Sequence, residues 1–597
     1  MPSKPILAVV LAIGAGSVLA AASPSSPLPA LQTRVERLQA NLESIESVRA
    51  IKRLQYAYGH YVELGLWNDF ADLFAADAVT NYQSGVRGKD AIRKLFFDQV
   101  GQGKLGLAAG RIYPHILFQP VITLAPDGRT AKGRWRILAM LGRLGGSATW
   151  YSGVYENEYV FEDGVWKISV IHSEPKVTAA YTAAGWKDSG THVSLHYDAA
   201  SVTMPIPDPS SRIAAAAGNR TAPSLASLAG RVRQLGERAA RWNDQAQVTN
   251  LLNTYGYAVD RKLWNQVADL FAEDGTLELG LQGVYVGRAS IRRGLDRFGP
   301  QGLRESELND HVYLQTIVSV APDGHTARAR GVEVILSSAP GGSHGELSEG
   351  IFENTFVKQK GAWKIQFVHF YPRMIVDAEA GWARSAKPAP SPSQEFPPDR
   401  PPTDSYEIYP KFAVAPFHFD NPVTGKPPQY PQGVLSAARR TTAATGVPSG
   451  PALRNAADLQ ARLAEAERAL AAAEAYDAAE NLIGAYGYYL DESPGDLAGL
   501  FVRGVSEDAG AHGLGAEGTI FVNQILQPVI DVAPDGRSAR VRARLLDLNG
   551  ISGGAGYWTA GTLEGQIVSE QGAWRFRTTR SSTRWTAPYP GGWARTP

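Results

Sequence analysis

The sequence predicts an α+β protein in which one module, helices first and antiparallel strands after, occurs three times. Two recurrences carry the prediction. The tetrapeptide Ala-Pro-Asp-Gly stands at 125–128, 321–324 and 533–536, each time after an apolar run and before an alternating basic one. That pattern is the turn of a β-hairpin. A second hairpin signal recurs at Glu162-Asp-Gly-Val-Trp166, Gln359-Lys-Gly-Ala-Trp363 and Glu570-Gln-Gly-Ala-Trp574, and a glutamate precedes each tryptophan by ten residues: Glu156, Glu353 and Glu564.

Upstream of the strands, Val248, Leu251, Leu252, Tyr255 and Val259 follow the 3.6-residue period of an amphipathic helix, and similar stripes precede Glu63 and Asp491. A further short helix is expected to follow the segment Trp264–Phe271, which is matched by Trp67–Phe74 and, without the tryptophan, by Gly495–Phe501. Proline-rich stretches separate the copies. The resulting organisation is a first module at 45–190, a linker and leader helix at 191–244, a second module at 245–383, a Pro-rich linker at 384–458, and a leader helix with a degenerate third module at 459–597. The leader segments Leu31–Ile45, Leu225–Arg241 and Leu459–Ala475 carry Leu, Val and Ala at near-heptad spacing. They read either as coiled-coil arms or as helices packed on their own domains.

Composition narrows the function classes. Lys plus Arg (59) balances Asp plus Glu (58) in 597 residues and no basic cluster occurs, so nucleic acid is not an expected partner. The absence of cysteine excludes disulfides, thiolate catalysis, thiolate-bound zinc and a lipid-bearing cysteine. Residues 1–22, apolar from Ile6 to Ala22 and ending in small residues, read as a signal peptide, so the protein is expected to be exported, periplasmic or secreted. No later segment is apolar enough to span a membrane.

The run Tyr255-Gly-Tyr-Ala-Val-Asp260-Arg-Lys-Leu-Trp264 to Leu270-Phe271, with His311 on the first long strand and Trp363-Lys-Ile on a later one, resembles the SnoaL-like branch of the nuclear transport factor 2-like superfamily. The first module repeats the pattern and the third repeats it imperfectly. The resemblance implies three cones, each a strongly curved sheet wrapped around helices and enclosing an apolar pocket. It also implies pairing of modules through their sheets, hence an intramolecular pseudo-dimer.

Within that superfamily the pattern is similar to the bile acid dehydratases, and more distantly to scytalone dehydratase and ketosteroid isomerase. In the first of these a Tyr, an acid five residues later and a strand His line the pocket. The resemblance carries those roles onto Tyr255, Asp260 and His311 in the second module and Tyr58, Glu63 and His115 in the first. The third has Tyr486 and Asp491, but Asn523 stands where the histidine belongs.

A carboxylate beside an imidazole in an apolar cavity suits proton transfer, because the carboxylate fixes the tautomer and burial tunes both groups. No metal or organic cofactor is required. The expected activity is a lyase (dehydratase) or isomerase acting on a hydrophobic cyclic or aromatic small molecule; the competing reading is a non-catalytic binding protein for a ligand or partner. Helix geometry qualifies the acid: at 100° per residue Tyr255 and Asp260 project about 140° apart, whereas Tyr257 and Asp260 are neighbours. Further pocket-lining candidates are Tyr257, Gln315 and His369 in the second module and His60, Gln119 and His172 in the first. Gln119, Gln315 and Gln527 each follow the strand His or Asn by four residues, on a face that is either pocket wall or solvent.

Overall fold

The computed structural model describes residues 27–82, 85–182, 186–189, 197–216, 224–341, 344–435, 455–505 and 518–589. The expected signal peptide lies outside the described residues. Three long helices, Leu28–Leu64, Leu225–Asp260 and Ala456–Glu492, each open a module. Each is followed by a short helix, Trp67–Asp72 or Trp264–Leu270, or in the third module by a 3-10 helix, Pro494–Leu500.

The second module shows the sheet in its simplest form. Its strands run in the order Val284–Val286, Phe271–Leu279, Ala362–Asp377, Gly345–Gln359, Thr326–Ser338, Leu308–Val320. Phe271–Leu279 pairs parallel with Ala362–Asp377 and the remaining neighbours are antiparallel. Register shifts at Leu314/Ile317, Glu349/Gly350 and Thr355/Phe356 bend the long strands around the helix. The first module repeats this order with added edge strands, and the third forms a five-stranded sheet among the described residues.

The repeated tetrapeptides do occupy equivalent turns. The amide of Gly128, Gly324 or Gly536 donates to the carbonyl of Ala125, Ala321 or Ala533 at 2.9–3.0 Å. The repeated glutamates are equivalent too. Arg134 pairs with Glu156, Arg330 with Glu353 and Arg542 with Glu564, each directly across adjacent strands.

The modules associate as a ring of three, which corrects the expected pseudo-dimer. Each long helix continues without a break from its leader into its cone. The leaders pack together through Leu31, Val35, Leu38, Leu42 and Ile45, with Leu228, Val232, Leu235 and Ala239, and with Leu459, Leu463, Ala466, Leu470 and Ala473. Alternating steps of four and three residues make this a three-stranded coiled-coil seam. Polar contacts join all three leaders: Arg34 to Glu467, Arg231 to Gln39, Arg238 to Glu46, and Asn243 to the carbonyl of Ala469.

The module ends join neighbours as well. Trp186, at the end of the first module, packs edge-on against Trp558 of the third at 5.1 Å, and Trp382, at the end of the second, against Trp150 of the first at 5.2 Å. Phe417 and Phe419 in the Pro-rich linker join the core of the first module. These aromatic residues at module ends and in the Pro-rich linker therefore staple one module onto another.

Candidate active site in the second module

The cone of the second module encloses a cavity of about 540 Å³. Its wall is mostly apolar, with Trp264, Leu279, Ile335, Val368 and Phe370 among the lining side chains. One imidazole enters it, that of His311 on the strand Leu308–Val320. His311 Nδ1 lies 2.6 Å from Glu333 Oε1, and the His311 side chain keeps 18% exposure against 6% for Glu333. The two residues are diagonal neighbours on one face of an antiparallel pair, because His311 stands opposite Ile335 and Glu333 opposite Tyr313.

The Glu333 carboxylate accepts from Nδ1, while Nε2 faces an acceptor oxygen that it must leave before it can take a proton from a substrate. Nε2 is 3.4 Å from Asn309 Oδ1, and Asn309 is itself held by its Nδ2 donating to the carbonyl of Val259 at 2.9 Å. Tyr255 and Tyr313 complete this side of the wall. Burial and the nearby Glu333 carboxylate raise both phenols above their ordinary value, so both stay protonated as donors. Opposite charge also reaches the cavity: Lys262 Nζ lies 2.5 Å from Glu307 Oε1 and bonds the carbonyl of Phe298.

Residues 43–172 and 240–369 match the sequence model of the SnoaL-like domain family. The first two modules are SnoaL-like domains. Among solved structures the chain is similar to a putative scytalone dehydratase from Novosphingobium aromaticivorans, at 21% identity over 25% of this chain and 98% of that one, with a TM-score of 0.22. It is similar to a putative aromatic ring hydroxylase from the same organism, at 24% identity over 23% and 94%, TM-score 0.20. A hexachlorocyclohexane dehydrochlorinase matches at 18% identity over 26% and 97%, TM-score 0.21.

In the second SnoaL-like domain Tyr255 and His311 share the cavity, but Asp260 does not join them. Its Oδ1 accepts from the His311 backbone amide at 2.7 Å rather than from the imidazole, and its Oδ2 pairs with Arg544 of the third module. The reason is the helical rotation: Asp260 ends the helix on the face shared with Tyr257, and that face meets the neighbour. Tyr257 accordingly donates to the carbonyl of Gln527 at 3.1 Å and sits beneath Arg542 and Arg544, not in the cone.

Gln315 also turns away from the cone and bonds the first module, its Oε1 accepting from the Leu117 amide at 2.7 Å. His369 is buried elsewhere, stacked on Tyr371 at 3.8 Å and 3.5 Å from Asp404 of the linker.

In the first SnoaL-like domain the expected trio is separated as well. His115 Nε2 is 2.8 Å from the Tyr155 hydroxyl, and Tyr58, Tyr113 and Tyr155 surround the ring with centroids about 6 Å away. Ile137 stands where the second domain has Glu333, so this imidazole lacks the carboxylate partner. Burial lowers His115 to about 4 and keeps it neutral. Glu63 faces the second domain, 3.3 Å from Arg373 and 3.1 Å from His60 Nδ1. Burial pushes its carboxyl up, but Arg373 and His60 hold it below its ordinary value.

His60 is itself an interface residue, its Nε2 3.1 Å from the carbonyl of Gln315. Gln119 bonds the third module through the carbonyl of Gly484 and the amide of Ile525. His172 is half exposed and pairs with Glu174 at 2.6 Å.

Glu333 is the residue that sequence reasoning missed. Its signal is one carboxylate inside the apolar run Gly331-Val-Glu-Val-Ile335, on a strand whose copies carry Ile137 and Leu545 at that position. Among the described residues no group of three or more His, Asp and Glu side chains is arranged to hold a metal ion.

Proposed function

We propose that the second SnoaL-like domain is a cofactor-independent acid/base catalyst, a dehydratase-type lyase or an isomerase, for a hydrophobic cyclic or aromatic small molecule. The observation that carries this reading is the His311 and Glu333 pair at 2.6 Å in the wall of an apolar cavity. His311 Nε2 removes a proton from a carbon next to a carbonyl, while Glu333 stabilises the imidazolium that forms. Tyr255, kept protonated, donates to the oxygen on which charge develops or which departs as water. Returning the proton to a different carbon gives isomerisation, and giving it to a departing hydroxyl gives dehydration.

The cavity volume lies in the usual range for small-molecule sites. The first and third modules act as structural partners, consistent with Ile137 and Leu545 in place of the carboxylate. The apolar leader from Ile6 to Ala22 supports export before the protein acts.

The test is proton exchange. Bicyclic and polycyclic ketones and β-hydroxy ketones are incubated with the protein in deuterium oxide, and exchange or loss of water is followed by NMR. Activity in the full chain that falls about 10²- to 10⁴-fold in His311→Ala is the expected result. Ligand binding without exchange in any of them would leave the domain a binding module.

A further inference from the structure

A second cavity, of about 380 Å³, lies where all three modules meet beneath the coiled coil. The first module contributes Arg49, Lys52, Arg53 and Tyr56, the second Trp242 and Ile317, and the third Tyr476, Asp477, Glu480 and Leu526. It is distinct from the cone of the second domain, from which only Tyr313 reaches both.

The charges around it are unevenly matched. Arg49 Nε lies 2.8 Å from Asp477 Oδ2, and Lys52 bridges Asp477, at 3.1 Å, and Glu480. Glu46 is taken by Arg238. Arg53 is left without a carboxylate within ion-pair distance among the described residues. Its Nη1 donates to Ser319 Oγ at 3.0 Å and its guanidinium lies over the Phe419 ring at 5.1 Å.

Arg49, one helical turn earlier on the same face, also has an unused donor. Its Nε and Nη1 are bonded to Asp477 and the carbonyl of Trp242, but buried Nη2 has no hydrogen-bond partner. Two like charges at i and i+4 repel, and a buried cation with unmatched donors is costly unless an anion meets it. Burial lowers Arg53 below its ordinary value, and the more distant Asp420 carboxylate offsets this only in part.

We propose that this axial cavity is a binding site for a small organic anion, its carboxylate or phosphate held between Arg49 and Arg53 and its apolar body laid against Tyr56, Trp242, Tyr476 and Ile317. Guanidinium groups suit either head group, because both present paired oxygens to a planar fork of N–H donors. The aromatic rings and aliphatic side chains favour an attached ring over a bare ion. A ligand here touches all three modules at once, so it stabilises the ring of three by mass action.

The experiment is calorimetric titration of the full chain with benzoate, phenyl phosphate, inorganic phosphate and benzyl alcohol. One aryl anion is expected to bind at a single site, at least tenfold tighter than benzyl alcohol and than inorganic phosphate. Whichever of benzoate and phenyl phosphate binds tighter identifies the head group. Arg53→Met is expected to weaken binding at least tenfold, and Thr249→Phe, which narrows the same cavity and leaves the arginines in place, to do likewise. Ser348→Trp fills the cone of the second domain instead and is expected to leave the affinity unchanged. Binding lost in Ser348→Trp and kept in Arg53→Met would move the anion to the cone and overturn the proposal. So would equal affinity for benzyl alcohol, or no binding of either aryl anion.

Discussion

Asp260 of the second module and Arg544 of the third form an ion pair in which each side chain is 1% exposed. The same contact recurs between Asp491 and Arg136 at 2.5 Å, joining the third module to the first. At the remaining boundary Val332 occupies the equivalent strand position, and Arg373 from the last strand reaches Glu63 instead. The longer acid, Glu in place of Asp, thus stands where the arginine arrives from a different strand. The acid that sequence pattern assigns to the pocket closes the ring of modules in all three copies.

Removing that acid should therefore act on stability first. Asp260→Ala removes the nearer of two carboxylates from buried Arg544 and leaves Asp310 at 3.6 Å, so the cost should reach at most the about 3–5 kcal/mol of a fully broken buried pair. The double variant Asp260→Leu with Arg544→Met should recover much of the loss. Denaturant unfolding of the full chain checks both. A single variant within about 0.5 kcal/mol of the parent would rule out the structural role.

Glu333→Gln separates the two carboxylates by function. It should lower turnover about 10²- to 10⁴-fold, as expected for loss of the group that orients and charges the imidazole, with little change in the unfolding midpoint. His115→Ala in the first module should leave turnover within about twofold. Equal losses from His115→Ala and His311→Ala would place catalysis in both domains and contradict the assignment to the second.

The repeat, the hairpin turns and the order of helices before strands are legible because they depend on local pattern. Ala125–Gly128 and its two copies read directly as turns, and the heptad steps from Leu31 to Ile45 already contain the seam. Which face of each helix meets a neighbour is a long-range property, so the resemblance places Asp260 in the pocket although its helical offset from Tyr255 points away. Glu333 escapes a sequence reading for a related reason: it lies 22 residues from His311 and becomes its neighbour only through strand register. The ring of three is not legible because no single copy states how many partners it has.

Two buried groups give opposite pH dependences. An unfolded histidine titrates near 6.5 and folded His115 at about 4, so between these values the unfolded chain binds the extra proton. Stability present above about pH 6.5 is then lost as pH falls toward 4. Asp547 is the reverse, because burial raises its carboxyl to about 8 against roughly 3.9 in the unfolded chain. The folded protein holds that proton, so its contribution declines as pH rises from about 4 through 8. Unfolding midpoints across this range should show a shallower acid limb in His115→Gln and a shallower alkaline limb in Asp547→Asn. Limbs unchanged in both variants would assign the dependence to other groups.

The last prediction concerns three glycines. Gly59, Gly256 and Gly487 follow equivalent tyrosines in the long helices, and each is approached by the bulge glutamine of a neighbouring module. A Cβ on Gly59 would lie 2.2 Å from Gln315 Oε1, on Gly256 2.3 Å from Gln527 Nε2, and on Gly487 2.5 Å from Gln119 Nε2. Gln119, Gln315 and Gln527 have φ of 53°, 53° and 52°, a left-handed conformation that non-glycine residues hold at a cost. Their side chains bond the neighbour's backbone, so they cannot yield without losing those bonds. Glycine in a helix interior is otherwise unfavourable by about 1 kcal/mol relative to alanine. Gly230, in the same helix as Gly256, serves as the control, because a Cβ placed on it would meet no atom within 4 Å. Gly230→Ala should stabilise the protein by up to about 1 kcal/mol, while Gly256→Ala should destabilise it and expose the module boundary to limited proteolysis. Equal gains in the two variants would show that the glutamine seat does not hold the ring together.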